Sequence, residues 1–213
     1  MPKNDILKAL LEKRVVVVVR MTDAGKLLQV VEAMASGGVR AIEITMTVPG
    51  AVDIIRTLVS RRVPGSLVGA GTVLDAATAD AVLDAGADFV VSPIADPAMI
   101  AACRRRDAVV IPGAFSPSEI VAAWNAGGDI VKVFPATTLG PGYVRDLRGP
   151  LPYIRLMPTG GITLENARDF LAAGACAVGV GTALLDRALI AENRWGALAE
   201  RAATLVASLK NKT

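Results

Sequence analysis

The sequence predicts an α/β protein, a (β/α)8 TIM barrel with an extra N-terminal helix, in one domain that spans residues 1–213. Short β-branched runs alternate with amphipathic segments along the chain, as they do where strands and helices alternate. Hydrophobic residues make up 53% of the chain and aromatic residues only 4%, so Val, Ile, Leu and Ala must supply the core. Such a core is typical of parallel strands that are buried on both faces.

Eight strands are predicted from the apolar runs. They cover Val15–Arg20, Val39–Met46, Leu67–Thr72, Asp88–Ser92, Ala108–Pro112, Asp129–Phe134, Ile154–Pro158 and Cys176–Gly181. A helix over Asp5–Arg14 precedes the first strand, and we expect it to close the bottom of the barrel. Helix starts are indicated at Ser116–Glu119, which resembles a capping box, and at Thr163–Glu165. Glycines such as Gly86 and Gly174 mark the ends of helices.

Strict alternation of strands and helices implies a parallel sheet, either open or closed. Eight units without an obvious edge strand favour closure of the sheet into a barrel. An open doubly wound sheet is the alternative. Against it, no G-x-G-x-x-G loop follows the first strand.

Composition excludes several classes of function. The net charge of +3 is too small to indicate nucleic-acid binding, and the absence of histidine removes the Ser-His triad and the commonest zinc ligand. Cys103 and Cys176 are too few to predict a metal site or a disulfide framework. No apolar run approaches the roughly 20 residues that span a bilayer. We therefore expect a cytoplasmic protein with no metal, no cofactor, and no nucleic-acid or membrane partner.

Side-chain alternation along a strand decides which residues face the barrel interior. In the second strand it directs Glu43 and Thr45 inward, and in the sixth strand it directs Lys132 and Phe134 inward. Arg20 ends the first strand at the barrel mouth, where enzymes of this fold carry their chemistry. The second and sixth strands lie opposite each other in an eight-stranded barrel, so the carboxylate and the amine point toward each other.

An interior pair of Glu43 and Lys132 has two explanations. One is a structural ion pair, although buried pairs often stabilise a fold no better than apolar residues do. The other, which we prefer, is catalysis, because charged groups in clefts are common at functional sites. A desolvated ε-amine favours its neutral form, which can attack a carbonyl to form a Schiff base. The iminium is an electron sink for an adjacent C–C bond, and Glu43 would move protons directly or through a water.

Glycine-rich loops after the last two strands indicate an anion site. They are residues 158–163, PTGGIT, and residues 179–183, GVGTA. Glycines let backbone N–H groups approach a phosphate, and the N-terminus of the following helix favours negative charge. This pair of loops is the usual phosphate site of the fold. A further small-residue segment, Gly69–Thr72, either clears space at the mouth or reflects tight packing.

Seven segments together resemble a known family. They are IEITMTVP (42–49), GAGTV (69–73), SP (92–93), IPG (111–113), KVFPA (132–136), PTGGI (158–162) and VGVGTAL (178–184). In this order they resemble the 2-keto-3-deoxy-6-phosphogluconate (KDPG) aldolases, from about Val15 to Leu185. The resemblance implies a class I aldolase of the Entner-Doudoroff pathway. Such an enzyme cleaves the keto acid to pyruvate and glyceraldehyde 3-phosphate through a lysine Schiff base, without metal, and is usually a homotrimer.

The same resemblance implies roles for individual residues. Lys132 would form the Schiff base, and Glu43 would be the general acid and base. The other site residues form three groups: ligands of the carboxylate, walls of the pyruvyl pocket, and contacts to the substrate chain and phosphate. Arg20 and Thr72 would bind the carboxylate, and Pro93 and Phe134 would form the walls of the pyruvyl pocket. The substrate chain and the phosphate would contact Thr159, Gly160, Gly161, Gly181 and Thr182.

One position departs from the family pattern. Many members carry an arginine four residues after the catalytic glutamate, where it binds the substrate carboxylate, and here that residue is Thr47. Some branches combine this threonine with an arginine at the end of the first strand, so we assign the carboxylate to Arg20 with Thr72. The change leaves 2-keto-3-deoxy-6-phosphogalactonate and 4-hydroxy-2-oxoglutarate open as alternative substrates.

Two other classes remain open. A phosphosugar isomerase or a barrel similar to thiamine-phosphate synthase would use the phosphate loops without an imine. A sugar-phosphate sensor or an assembly scaffold, natural or engineered, would need no reaction, although the intact Lys132 and Glu43 argue against it.

For the homotrimer, we expect exposed apolar helix faces at Val52–Val59 and Ala98–Cys103 to form the interface.

Overall fold

The computed structural model describes residues 1–210, and all eight predicted strands are present, each somewhat shorter than its predicted range. The strands are β1 (Val15–Val19), β2 (Ala41–Thr45), β3 (Leu67–Gly71), β4 (Phe89–Val91), β5 (Val109–Ile111), β6 (Gly113–Ala114), β7 (Val131–Val133), β8 (Leu156–Pro158) and β9 (Val178–Val180). The helices are α1 (Lys3–Lys13), α2 (Leu27–Ser36), α3 (Ala51–Ser60), α4 (Ala76–Asp84), α5 (Pro97–Arg105), α6 (Pro117–Asn125), α7 (Gly140–Arg148), α8 (Ala167–Ala172), α9 (Arg187–Ala191) and α10 (Trp195–Lys210). Two 3-10 turns, Ala24–Lys26 and Ala136–Thr138, lie in the loops after β1 and β7.

The parallel strands close into a barrel. Six of them pair in the order β5-β4-β3-β2-β1-β9, and the other three in the order β6-β7-β8. Pro112 has no N–H group to donate, and it separates β5, which lies within the predicted fifth strand, from β6, which lies just beyond it. At the other seam, the N–H of Cys176 donates to the carbonyl of Leu156 at 2.9 Å, and a β-bridge joins Thr159 to Gly179. The (β/α)8 barrel is confirmed, and the open-sheet alternative is wrong.

Helix starts agree with prediction in one case and differ in another. At α6, Ser116 accepts a hydrogen bond from the N–H of Glu119, and the Glu119 carboxylate accepts one from the N–H of Ser116 at 2.7 Å, which completes the capping box. The predicted start at Thr163 is about one turn early, because Asn166 accepts the Thr163 N–H in a local turn and α8 begins at Ala167. The short helix α9 is not among the predicted elements.

The core has two layers, separated by the strand backbones. Between the strands and the helices lie side chains such as Ile42 and Val131, as the alternation predicts. A second cluster fills the barrel interior, and α1 contributes Ile6 and Leu10 to it. The N-terminal helix therefore closes the bottom of the barrel, as expected, and leaves the carboxyl ends of the strands open.

The apolar surface differs from prediction. The large apolar side chains within Val52–Val59 and Ala98–Cys103 are buried or half-buried, because both helix faces pack into the layer around the barrel. Their expected exposure is therefore wrong. Large exposed apolar side chains include Leu74, Ile94 and Phe115, in the segments that follow β3, β4 and β6.

Both cysteines are free, and burial raises the pKa of the Cys103 and Cys176 thiols to about 11. Both are therefore protonated near neutral pH and are poor nucleophiles.

Within residues 1–210, no helix combines the length and apolar character that crossing a membrane requires.

Candidate active site

A lysine and a glutamate meet inside the barrel. Lys132 lies on β7, and Glu43 lies on the opposite strand, β2. The Nζ atom of Lys132 is 3.9 Å from Oε1 of Glu43, and the two side chains are only 4% and 0% exposed. The sequence predicts that both residues face inward from opposite strands, and the structure brings them together.

The Glu43 carboxylate has no hydrogen-bond partner within residues 1–210, although both of its oxygens are fully buried. A buried ion pair stabilises a fold only when further hydrogen bonds satisfy its remaining lone pairs. The pair with Lys132 therefore fits a structural role poorly. A buried carboxylate with free lone pairs beside an amine is suited to exchanging protons with a bound molecule.

Space for the Glu43 carboxylate comes from the neighbouring strand β3. A Cβ atom at Gly71 would overlap the carboxylate, and a Cβ atom at Gly69 would overlap the ring of Phe89. Neither glycine has a positive φ angle, so these positions need glycine for space rather than for backbone conformation. Of the two explanations for the Gly69–Thr72 segment, the clearing of space applies to Gly71, and tight packing applies to Gly69.

The surroundings of Lys132 suit both a neutral and a cationic nitrogen. Its side chain is buried beside Glu43, and a lysine amine in such a position can act as a nucleophile. Its Nζ atom also lies 5.2 Å from the centroid of the Phe134 ring. An aromatic face at this distance, together with the Glu43 carboxylate, stabilises a cationic imine once it forms.

Lys132 lines a cavity of about 820 Å³. Eight of the eleven predicted site residues line this cavity: Arg20, Lys132, Phe134, Thr159, Gly160, Gly161, Gly181 and Thr182. Glu43 is not among the lining residues, but it contacts Lys132, which is. Thr47 also lines the cavity, and its Oγ1 lies 2.8 Å from Oγ1 of Thr45, so the two hydroxyls form a hydrogen bond.

Thr72 and Pro93 lie outside the cavity lining. Arg20 connects Thr72 to the cavity, because its Nη2 donates to Thr72 Oγ1 at 3.3 Å. Thr72 has a φ angle of +57°, which is unfavourable for a β-branched residue and is typical of functional sites where it is retained. The carbonyl group of Pro93 packs against Gly113. The structure thus brings Arg20 and Thr72 together and leaves Pro93 apart.

The loop after β8 is shaped for an anion. Gly160 and Gly161 have φ angles of +92° and +71°, a left-handed stretch that glycine adopts without steric cost. Successive N–H groups in such turns form concave sites for anions. Thr159 is buried beside this stretch and packs against Gly179, where a Cβ atom would overlap its hydroxyl.

The loop after β9 is a tight turn, in which the N–H groups of Leu184 and Leu185 both donate to the Gly181 carbonyl at 3.0 Å. The following helix, α9, does not offer its N-terminus to a ligand. Oδ1 of Asp186 accepts hydrogen bonds from two N–H groups of the first turn at 2.9 and 3.1 Å. The expectation that this helix end attracts an anion is therefore wrong, because a carboxylate of the chain already occupies it.

The outer half of the cavity is formed by residues that the sequence pattern does not predict. They are Met21, Thr22, Asp23, Lys26, Leu185, Arg187, Ile190 and Ala191. All of them lie in the segments that follow β1 and β9. The rule that sites of this fold lie in the loops after the strands points to these segments, but their residue types resemble ordinary helix starts.

The chain is similar to known proteins over most of its length. The family model for KDPG and KHG aldolases matches residues 6–200. The chain is 35% identical over 193 residues to 2-dehydro-3-deoxy-phosphogluconate aldolase of Haemophilus influenzae, which covers 90% of this chain and 91% of that relative. It is 37% identical over 156 residues to a probable 2-dehydro-3-deoxy-6-phosphogalactonate aldolase of Rhizobium meliloti, covering 73% and 74% of the two chains.

A solved structure of a family member matches this chain in fold. KDPG aldolase from Legionella pneumophila, with pyruvate captured as a covalent carbinolamine intermediate, superimposes with a TM-score of 0.86 at 27% identity. The superposition covers 94% of this chain and 97% of that one. The family model, which matches residues 6–200, includes all the strands that carry the site residues. On these grounds, the chain belongs to the KDPG and KHG aldolase family.

Proposed function

We propose that this protein is a class I aldolase that cleaves KDPG to pyruvate and glyceraldehyde 3-phosphate through a Schiff base on Lys132. The observation that carries the proposal is the buried pair of Lys132 and Glu43, 3.9 Å apart, whose lysine lines the cavity. The family membership of the chain supports it. The Legionella relative, captured with pyruvate as a carbinolamine, supports the same chemistry.

The reaction follows from the two side chains. The neutral amine of Lys132 attacks the C2 carbonyl, and loss of water from the carbinolamine gives an iminium. Glu43, directly or through a water, takes the proton of the C4 hydroxyl while the C3–C4 bond breaks. The bonding electrons move into the iminium, so the aldehyde leaves and an enamine remains. Glu43 returns the proton to C3, and water then releases pyruvate from the lysine.

The ends of the substrate fit the two polar regions of the cavity. Arg20, bonded to Thr72, can hold the carboxylate in a bidentate contact. The Gly160–Gly161 turn, with Gly181 and Thr182, supplies backbone and hydroxyl donors for the phosphate. Phosphogalactonate and hydroxyoxoglutarate analogues remain the alternative substrates, because Thr47 stands where many members carry an arginine. An isomerase or a sensor on the same barrel would not need the Lys132–Glu43 pair.

The test is reduction with borohydride in the presence of pyruvate, followed by mass spectrometry. The wild-type protein should gain one covalent adduct, located on Lys132, and Lys132→Ala should gain none. An adduct on another lysine, or no adduct on the wild-type protein, would contradict the proposal. A panel of phosphorylated and unphosphorylated keto acids then separates the alternative substrates.

For the assembly, we propose a cytoplasmic homotrimer. Its support is the exposed apolar group of Leu74, Ile94 and Phe115, which lies in successive segments beside the barrel mouth and is suited to burial in an interface. The two free, protonated thiols fit a reducing compartment. Sedimentation at micromolar concentration should give the mass of a trimer, and a monomer would contradict this assembly.

A further inference from the structure

The outer wall of the cavity is formed by α9 and by the turn Ala24–Lys26. A helix of five residues, as α9 is, is not stable in isolation. Lys26 holds it, because its Nζ atom donates to the carbonyls of Ile190 and Ala191 at 3.1 and 2.9 Å. These carbonyls lie at the C-terminal end of α9, where a cation is favoured. The Lys26 contacts therefore fix α9 beside the cavity.

Arg187 is the first residue of α9, and it lines the cavity with an exposed side chain. Within residues 1–210 it makes no ion pair. Its neighbour Asp186 caps the N–H groups of α9, so this helix end is closed to a ligand while the guanidinium is open to one. A guanidinium that faces a cavity without a counter-ion is suited to bind an anionic group.

We propose that Arg187 is a specificity residue that binds the substrate phosphate, and that Lys26 positions it by holding α9. This inference rests on the proposed function, whose substrate carries a carboxylate at one end and a phosphate at the other. Arg20 meets the carboxylate near β1, and the glycine loops supply neutral N–H donors for the phosphate. Arg187 follows the loop of Gly181 and Thr182 and lines the same cavity. It therefore adds a charged, two-pronged donor to that loop, and so separates phosphorylated aldehydes from unphosphorylated ones.

The test measures the addition of pyruvate to glyceraldehyde 3-phosphate and to glyceraldehyde. In Arg187→Gln, the ratio of kcat/KM for the phosphorylated to the unphosphorylated aldehyde should fall about tenfold, as expected for loss of a charged hydrogen bond. Inhibition by inorganic phosphate should weaken in parallel. Because the side chain is exposed, high salt should lower the wild-type ratio as well. Arg187→Lys keeps the positive charge, so its ratio should lie between those of Arg187→Gln and the wild-type protein. Lys26→Met removes the contacts that hold α9, so its ratio should fall below the wild-type value.

Arg194→Gln is the matched control. Arg194 lies just after α9, pairs with Glu192 at 3.8 Å and is not among the residues that line the cavity, so its variant should keep the wild-type ratio. If Arg187→Gln stays within about twofold of that ratio and still traps pyruvate under borohydride, the role of Arg187 is overturned and the proposed reaction stands. If the wild-type protein traps no pyruvate, both proposals fall.

Discussion

Replacing Gly71 with alanine should displace the Glu43 carboxylate and leave the Lys132 amine in place. Gly71 pairs with Thr45 across the β2–β3 register, two residues beyond Glu43. An ideal Cβ atom at this position would collide with Oε1, Cδ and Cγ of Glu43, and even the Cγ separation of 2.5 Å is closer than real Cβ atoms come. The carboxylate ends a flexible side chain, so it should move rather than the strand.

The displacement should affect the rate more than the stability. An extra methyl group in a packed interior destabilises a fold by about 1–3 kcal/mol. A positioned acid/base group contributes about 10²–10⁴-fold to a rate, which corresponds to about 2.7–5.4 kcal/mol of activation free energy. We therefore expect Gly71→Ala to fold, to lose about 100-fold or more in proton transfer, and still to be trapped by borohydride and pyruvate at Lys132.

The assay is replacement of the pyruvate methyl protons by deuterium, followed by NMR, because this step needs both the imine and the base. Gly196→Ala is the matched control, since Gly196 lies in α10 and a Cβ atom there meets nothing within 4 Å. The control should keep the wild-type rate. If Gly71→Ala folds and incorporates deuterium within about threefold of the wild-type rate, then Gly71 does not determine the position of Glu43 and the reasoning is wrong.

Two further predictions concern the charged residues of the site. Glu43→Gln keeps the shape of the side chain but removes the base, so deuterium incorporation should slow by about 10²–10⁴-fold, and an unchanged rate would contradict the role of Glu43. Arg20→Ala removes the guanidinium that bonds Thr72. Its KM for pyruvate should rise by more than kcat falls, because a carboxylate contact is shared by the ground state and the transition state. An unchanged KM would place the carboxylate elsewhere.

The inner half of the site was predictable from the sequence. Side chains alternate across a strand with a fixed period of two, so apolar residues such as Ile42 and Val131 mark the face toward the helices. Glu43 and Lys132, the next residues along these two strands, must then face the interior. Opposite strands of a closed barrel bring these two side chains together. The prediction succeeded because backbone geometry alone determines it.

The outer half depends on contacts between distant segments, which no local pattern contains. Lys26 and Ile190 are 164 positions apart, and their contact decides where α9 lies. The burial of α5 likewise depends on what packs against it, although its apolar face is evident from the sequence. Pro93, expected to form a wall of the pyruvyl pocket, instead packs against Gly113 and is not among the residues that line the cavity. For such features, the residue type gives the chemistry and only the fold gives the location.

The glycines of the sheet link the sequence pattern to the location of functional side chains. Gly71 and Gly179 each lie beside a buried polar side chain on the neighbouring strand, Glu43 and Thr159 respectively, and a Cβ atom at either glycine would overlap that side chain. The interior of an eight-stranded barrel is filled by side chains. A polar group therefore enters it only where the adjacent strand has no side chain of its own. At these two positions the glycine and the polar residue form a pair, whereas Gly69 makes room for the apolar ring of Phe89. An inward-facing glycine without a positive φ angle therefore marks a large side chain beside it, and that side chain is functional where it is polar.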